Sequence, residues 1–219
     1  ESLNGAEQIA WHRRYLDSGL RFADAWPEHP ESAAVLSTVG EDLFRQGQFD
    51  LAIAVSRKVV ERESEVDAGL RRTAWTVIAH SQFDLGNFAD AETAYYALRP
   101  LTPADDAEAR REVEDRIASS IYKQGEQARD SGDLEQAVAH FTRLGQVVPG
   151  SDFRMTAEYD AAAALITLGA WDRASGVLTH PAGPEDLILP GHCRLLRGEA
   201  QSDKAQSDRL KVTGRKLAF

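Results

Sequence analysis

The chain has 219 residues, 42% of them hydrophobic, and a formal net charge of −10. That length and apolar content can fill a continuous core, while the acidic balance lacks the basic stripe with which nucleic-acid binders displace counterions from phosphate. A single cysteine, Cys193, excludes an internal disulfide framework, no Cys/His spacing fits a zinc site, and no apolar run approaches the ~20 residues that span a bilayer.

Residues 6–29 read as one amphipathic helix carrying Ile9, Trp11, Tyr15, Leu16, Leu20, Phe22, Ala23 and Trp26, ended by Glu28-His29-Pro30. It forms an N-terminal capping helix or half repeat over 1–30. Trp11, Phe22 and Trp26 are expected to bury against the next helix. Ala33 to Gln46 and Asp50 to Arg62 then make one hairpin, and 68–85 with 89–99 a second. Thr102 and Asp105 have capping-box-like spacing around Pro103, so a long helix is expected from there to Ser131, projecting past its neighbours. The third hairpin closes at Pro149-Gly150, and the fourth starts near Asp152 and stops at His180-Pro181. The resulting organisation is four hairpins within 31–181, at about 33–66, 68–105, 106–151 and 152–181. An irregular basic tail follows over 182–219. Residues 190–219 hold seven Lys and Arg against three Asp and Glu, reversing the charge of the rest. A short helix near 186–200 and then disorder is the expectation for this tail. The chain opens on Glu1 without an initiator Met or leader, which reads as a processed product or a fragment.

One phrase recurs between the paired helices: Gly47-Gln-Phe-Asp-Leu-Ala52, Gly86-Asn-Phe-Ala-Asp-Ala91, Gly132-Asp-Leu-Glu-Gln-Ala137 and Gly169-Ala-Trp-Asp-Arg-Ala174. Each Gly should end a helix in a left-handed cap, and each Ala should sit where the next helix crosses closely. Seven places before the glycines stand Gly40, Ala79, Gly125 and Ala162; nine places after stand Ser56, Tyr95, Phe141 and Leu178; seventeen after stand Ser64, Pro103 and Pro149. This order of small, aromatic, small, aromatic and closing Pro resembles the tetratricopeptide repeat (TPR), best in Trp75 to Pro103 and Ile121 to Pro149. Tyr15, Phe22, Ala25 and Pro30 fit the second half of such a repeat. Ser64 for the closing Pro and Glu158 for a bulky residue depart from it.

The resemblance implies an all-α, right-handed α-solenoid of TPR-like hairpins, without enzymatic activity or cofactor, that binds a protein or peptide in a concave groove. Its inward positions transfer to Ser37, Glu41, Phe44 and Arg45; to Thr76, His80, Phe83 and Asp84; to Tyr122, Lys123, Glu126 and Arg129; and to Tyr159, Asp160 and Thr167. The wall mixes aromatic and charged groups suited to a peptide or a partner helix. Lys and Asn are not arranged as in the TPR clamps that hold acidic chaperone C-termini. The stretches from Ile117, Gly132 and Thr156 also resemble bacterial cell-envelope TPR proteins, including some assigned to TonB-type systems. That resemblance implies a periplasmic or outer-membrane-associated adaptor; otherwise the chain is cytoplasmic.

Other functions leave weaker traces. A ligand- or peptide-sensing solenoid, or an accessory part of a larger enzyme, is the alternative. No phosphate-binding Gly loop, paired metal His or Gly-x-Ser-x-Gly elbow is present. His192-Cys193 is the only reactive-looking dipeptide, and its plain reading is an incidental tail thiol. His80, Asp84 and Glu126 are the only titratable set whose convergence would reopen catalysis.

Overall fold

The computed structural model describes residues 5–62 and 66–178, which contain α-helices and no strand among them. In chain order the helices are α1 (Gly5–Ala25), α2 (Ser32–Arg45), α3 (Phe49–Val60), α4 (Ala68–Asp84), α5 (Phe88–Leu98), α6 (Ala107–Asp130), α7 (Leu134–Val147), α8 (Phe153–Thr167) and α9 (Trp171–Val177), with a 3-10 turn at Arg99–Leu101. The described chain is all-α, built of TPR-like helix hairpins. Its tail, with His192 and Cys193, and Ser64 lie outside the described residues.

Two compact units divide it, Glu1–Ile117 and Ala118–Phe219. In the first, α2 packs on α3 and α4 on α5, α3 contacts α4, and α1 lies on α2. In the second, α7 packs on α8 and α8 on α9, around Val138, Ala164, Leu165 and Ala174.

The four phrase glycines are the positive-φ residues of the described chain, at 71°, 78°, 86° and 71° in order. Each ends its helix in the same pair of hydrogen bonds. Gly47 N–H reaches Phe44 C=O at 2.8 Å, and Gln48 N–H reaches Leu43 C=O at 2.9 Å. The same pair recurs at Gly86, Gly132 and Gly169, which makes four Schellman caps. The next residue's carbonyl accepts from the phrase alanine, as Gln48 does from Ala52 at 2.9 Å, so one turn stops a helix and starts its partner. The four alanines have no exposed surface.

The small residues seven places earlier let the paired helices close up. A Cβ on Gly40 would lie 2.6 Å from the Ser56 hydroxyl, and one on Gly125 would lie 2.4 Å from the Phe141 ring. Ser56 and Phe141 are fully buried.

Three expectations are corrected. Trp11 and Trp26 are 61% and 64% exposed. Leu16 and Ala23 carry the α1 contact instead, and Gly19 approaches Val35 and Val39 of α2 so closely that a Cβ would meet both at 3.0–3.1 Å. The long sixth helix starts at Ala107, where Asp106 caps it by accepting from Ala109 N–H at 3.0 Å; Thr102 instead donates to Leu98 C=O, closing the preceding turn. Its first turns do not project. Val113 and Ile117 are buried, and Glu114 pairs with Arg99 at 2.7 Å.

Candidate functional site

Helix α4 begins where Asp67 accepts a hydrogen bond from Gly69 N–H at 2.7 Å. Ala74, Val77, Ile78 and Ala79 are its buried positions. A second face carries Arg72, Thr76 and His80 at intervals of four, one above another along a helix side. This line borders two pockets. Toward α2 lies one of about 390 Å³, with Glu41, Phe44 and Arg45 on its far side. Toward α5 and the first half of α6 lies one of about 290 Å³, with Tyr95, Glu112 and Arg116 among its walls. Arg72, Thr76 and His80 belong to both, so the two form one trough across the first unit.

Rings mark its floor. Phe49 and Phe44 have centroids 5.7 Å apart, Phe44 and His80 6.0 Å, and His80 and Tyr95 5.8 Å. Burial, then the Arg116 charge, lowers the pKa of His80 below 6.5, against opposing pulls from Glu112 and Asp84. The imidazole is therefore neutral at neutral pH and offers one donor and one acceptor. Burial likewise pushes the Tyr95 phenol well above its ordinary value. Among the described residues its hydroxyl has no hydrogen-bond partner. Arg45 is held by Asp42 at 2.9 Å. Arg72 differs: among the described residues its guanidinium forms no ion pair, although the side chain borders both pockets.

Of the expected inward positions, Glu41, Phe44, Arg45, Thr76 and His80 line this trough. Ser37 is 4% exposed and lies in the core. Phe83 packs edge-on against Phe88 at 5.1 Å, bracing the α4–α5 hairpin. Asp84 is exposed. The trough also uses Arg72, Tyr95, Glu112 and Arg116, which the sequence reading did not place there. Arg72 stands one turn before Thr76, on an extension of the same helix face; Tyr95 enters the sequence pattern only as the aromatic position nine places after Gly86.

In the second unit, Tyr122, Lys123, Glu126 and Arg129 of α6 and Asp160 of α8 make one polar network. The Tyr122 hydroxyl donates to Asp160 at 2.6 Å, and Arg129 approaches Asp160 and Glu126, each at 3.6 Å. Lys123 donates to Glu126 at 2.7 Å. Burial and the Asp160 hydrogen bond both raise the Tyr122 pKa. Tyr159 is half-buried beside this network, and Thr167 is exposed. Glu158, where the repeat would have a bulky residue, accepts from Arg154 at 2.9 Å.

Among the described residues, no group of three or more His, Cys, Asp or Glu is placed to hold a metal ion, and no helix is long and apolar enough to cross a membrane.

No protein-family profile matches the chain. No curated protein matches it either. Solved structures similar to it include the TPR2AB-domain:pHSP90 complex of yeast Sti1, at TM-score 0.38 and 17% identity, covering 91% of this chain and 81% of that one. BtubC from P. vanneervenii follows at TM-score 0.36 and 17% identity, covering 100% and 94%. A kinesin light chain with TPR-like repeats from Podosopora anserina stands at TM-score 0.33 and 14% identity, covering 87% and 99%. At such scores the likeness assigns neither a family nor a partner.

Proposed function

We propose that this chain is a non-enzymatic protein-interaction scaffold whose guest is an extended peptide laid across α2, α4 and the first half of α6. The observation that carries the reading is the trough itself, a floor of rings beside a line of hydrogen-bonding groups that both pockets share. Helices packed side by side stand about 8–10 Å apart, so crossing three of them takes about 20 Å, the reach of about six extended residues. Such a guest would stack on Phe44 and His80 and place an acceptor or a carboxylate on Arg72.

The non-enzymatic part is supported by the fate of the only titratable candidates. Glu126 is engaged by Lys123 and Arg129, and Asp84 is exposed on the surface. One observation favours the alternative, a small-ligand sensor: the Tyr95 hydroxyl is buried and, among the described residues, unpartnered beside the smaller pocket. A setting in an envelope complex rests on the resemblance of the stretches from Ile117, Gly132 and Thr156 alone.

The test is peptide selection on the immobilised chain, followed by affinity measurement against two variants, Thr76→Arg and Arg72→Glu. Thr76→Arg fills the shared middle of the trough. Selected peptides should lose about ten-fold or more in affinity to it, as expected for a central contact, with helicity unchanged. Undiminished binding to both variants would place the guest elsewhere and overturn the proposal.

A further inference from the structure

The aromatic place nine residues after the phrase glycine is filled by Tyr95 in α5 and by Phe141 in α7, and both are buried, at 1% and 0% exposure. Phe141 shows that the place packs without a hydroxyl. Among the described residues the Tyr95 hydroxyl meets no hydrogen-bond partner, and a buried hydroxyl left unpaired works against stability. Tyr95 stands in the wall of the smaller pocket, about 290 Å³ in volume, between α4, α5 and the first half of α6.

The other polar groups of this pocket are mostly committed. Thr76 and Thr102 spend their hydroxyl hydrogens on the carbonyls of Arg72 and Leu98, at 2.9 and 3.2 Å. Asp106 accepts from Ala109 N–H at 3.0 Å, and Glu112 stands 4.0 Å from Arg116 on the same helix. Arg72 is the exception, a half-buried guanidinium that forms no ion pair among the described residues. What the pocket has left to offer is therefore donors: the Tyr95 hydroxyl, the Arg72 fork and one N–H of the neutral His80 ring. The charge left without a partner is a single positive one.

We infer that this pocket receives the carboxylate of one acidic side chain carried within the guest peptide, with Arg72 and the Tyr95 hydroxyl as its two donors. The inference rests on the trough reading above and names the residue the trough selects. A carboxylate accepts from both donors and brings the one negative charge that Arg72 lacks. Leu98, Ala109 and Val113, also in the walls, suit the methylene stem that carries it. A phosphate monoester fits less well, because Asp106 and Glu112 oppose its second charge. So does a C-terminal carboxylate, which brings an amide and a side chain on the same carbon and is too wide to approach a hydroxyl on so deeply buried a residue as Tyr95.

The test uses short peptides amidated at the C-terminus, selected from a random library on the immobilised full chain and kept when Thr76→Arg releases them. Glu or Asp should recur at one position. Replacing that residue by its amide should weaken binding about ten-fold in titration calorimetry, the size of one lost hydrogen-bonded charge contact, and Arg72→Gln should abolish the difference between acid and amide. Tyr95→Phe should also weaken the acidic peptide about ten-fold, yet leave the urea midpoint of the free chain unchanged or higher, because it removes a hydroxyl that has no partner there. Phosphoserine at the same position should bind more weakly than the acid, and a free C-terminus should add nothing. Thr76-dependent peptides without a recurring acid, an amide or phosphoserine that binds as well, a difference that survives Arg72→Gln, a lowered midpoint or undiminished binding in Tyr95→Phe, or a requirement for a free C-terminus would each overturn this inference and leave the trough standing. No Thr76-dependent peptide at all would overturn both.

Discussion

Adding one methyl group at position 125 probes how closely α6 and α7 meet. Built on Gly125, a Cβ would stand 2.4, 2.6 and 2.9 Å from three carbons of the Phe141 ring, well inside van der Waals contact. That ring has no exposed surface and lies 5.4 Å from the Tyr122 ring, centroid to centroid. It cannot move without displacing its neighbour. Overpacking costs about 1–3 kcal/mol, and a ring that cannot yield puts this case at about 2–3 kcal/mol; the better helix propensity of Ala over Gly returns about 1 kcal/mol, so Gly125→Ala should destabilise by about 1–2 kcal/mol. Urea unfolding followed by circular dichroism measures this directly. The companion variant Gly125→Ala/Phe141→Leu supplies the decisive comparison, since the fourth hairpin already pairs Ala162 with Leu178, both buried. Removing the ring edge should recover part of the loss caused by the methyl, giving a coupling of about 1 kcal/mol in the double-mutant cycle. If Gly125→Ala is neutral or stabilising, propensity outweighs packing and the close approach of α6 and α7 is refuted.

Two further predictions concern titration and the polar network. His80 has a folded pKa below its unfolded 6.5, so the unfolded chain binds a proton first on acidification; stability present above pH 6.5 should fall as the pH drops through the folded pKa, and His80→Gln should remove that part of the pH dependence in melting curves taken between neutral and mildly acidic pH. Tyr122→Phe deletes the 2.6 Å hydrogen bond to Asp160 while keeping the ring against Phe141 and Phe153, and should cost about 1.5–3 kcal/mol in the same unfolding assay, the range for a hydrogen bond to a charged acceptor; an unchanged midpoint would show that Arg129 alone satisfies Asp160.

What was legible in the linear chain was local. A residue held at positive φ with room for no Cβ penalty is a property of one turn, so Gly47, Gly86, Gly132 and Gly169 announced the four helix ends, and the alanines five places later announced the crossings. What remained hidden depended on which side a neighbour approaches. Helix α1 has apolar residues around much of its circumference, and only the packing of Gly19 and Ala23 on α2 decided that Leu16 would be covered and that Trp11 and Trp26 would face outward. The candidate trough draws Arg72 from one helix, Tyr95 from the next and Arg116 from a third. Periodicity assigns each to a face of its own helix, but bringing the three faces together is the work of tertiary packing, because no sequence interval encodes the distance between separate helices.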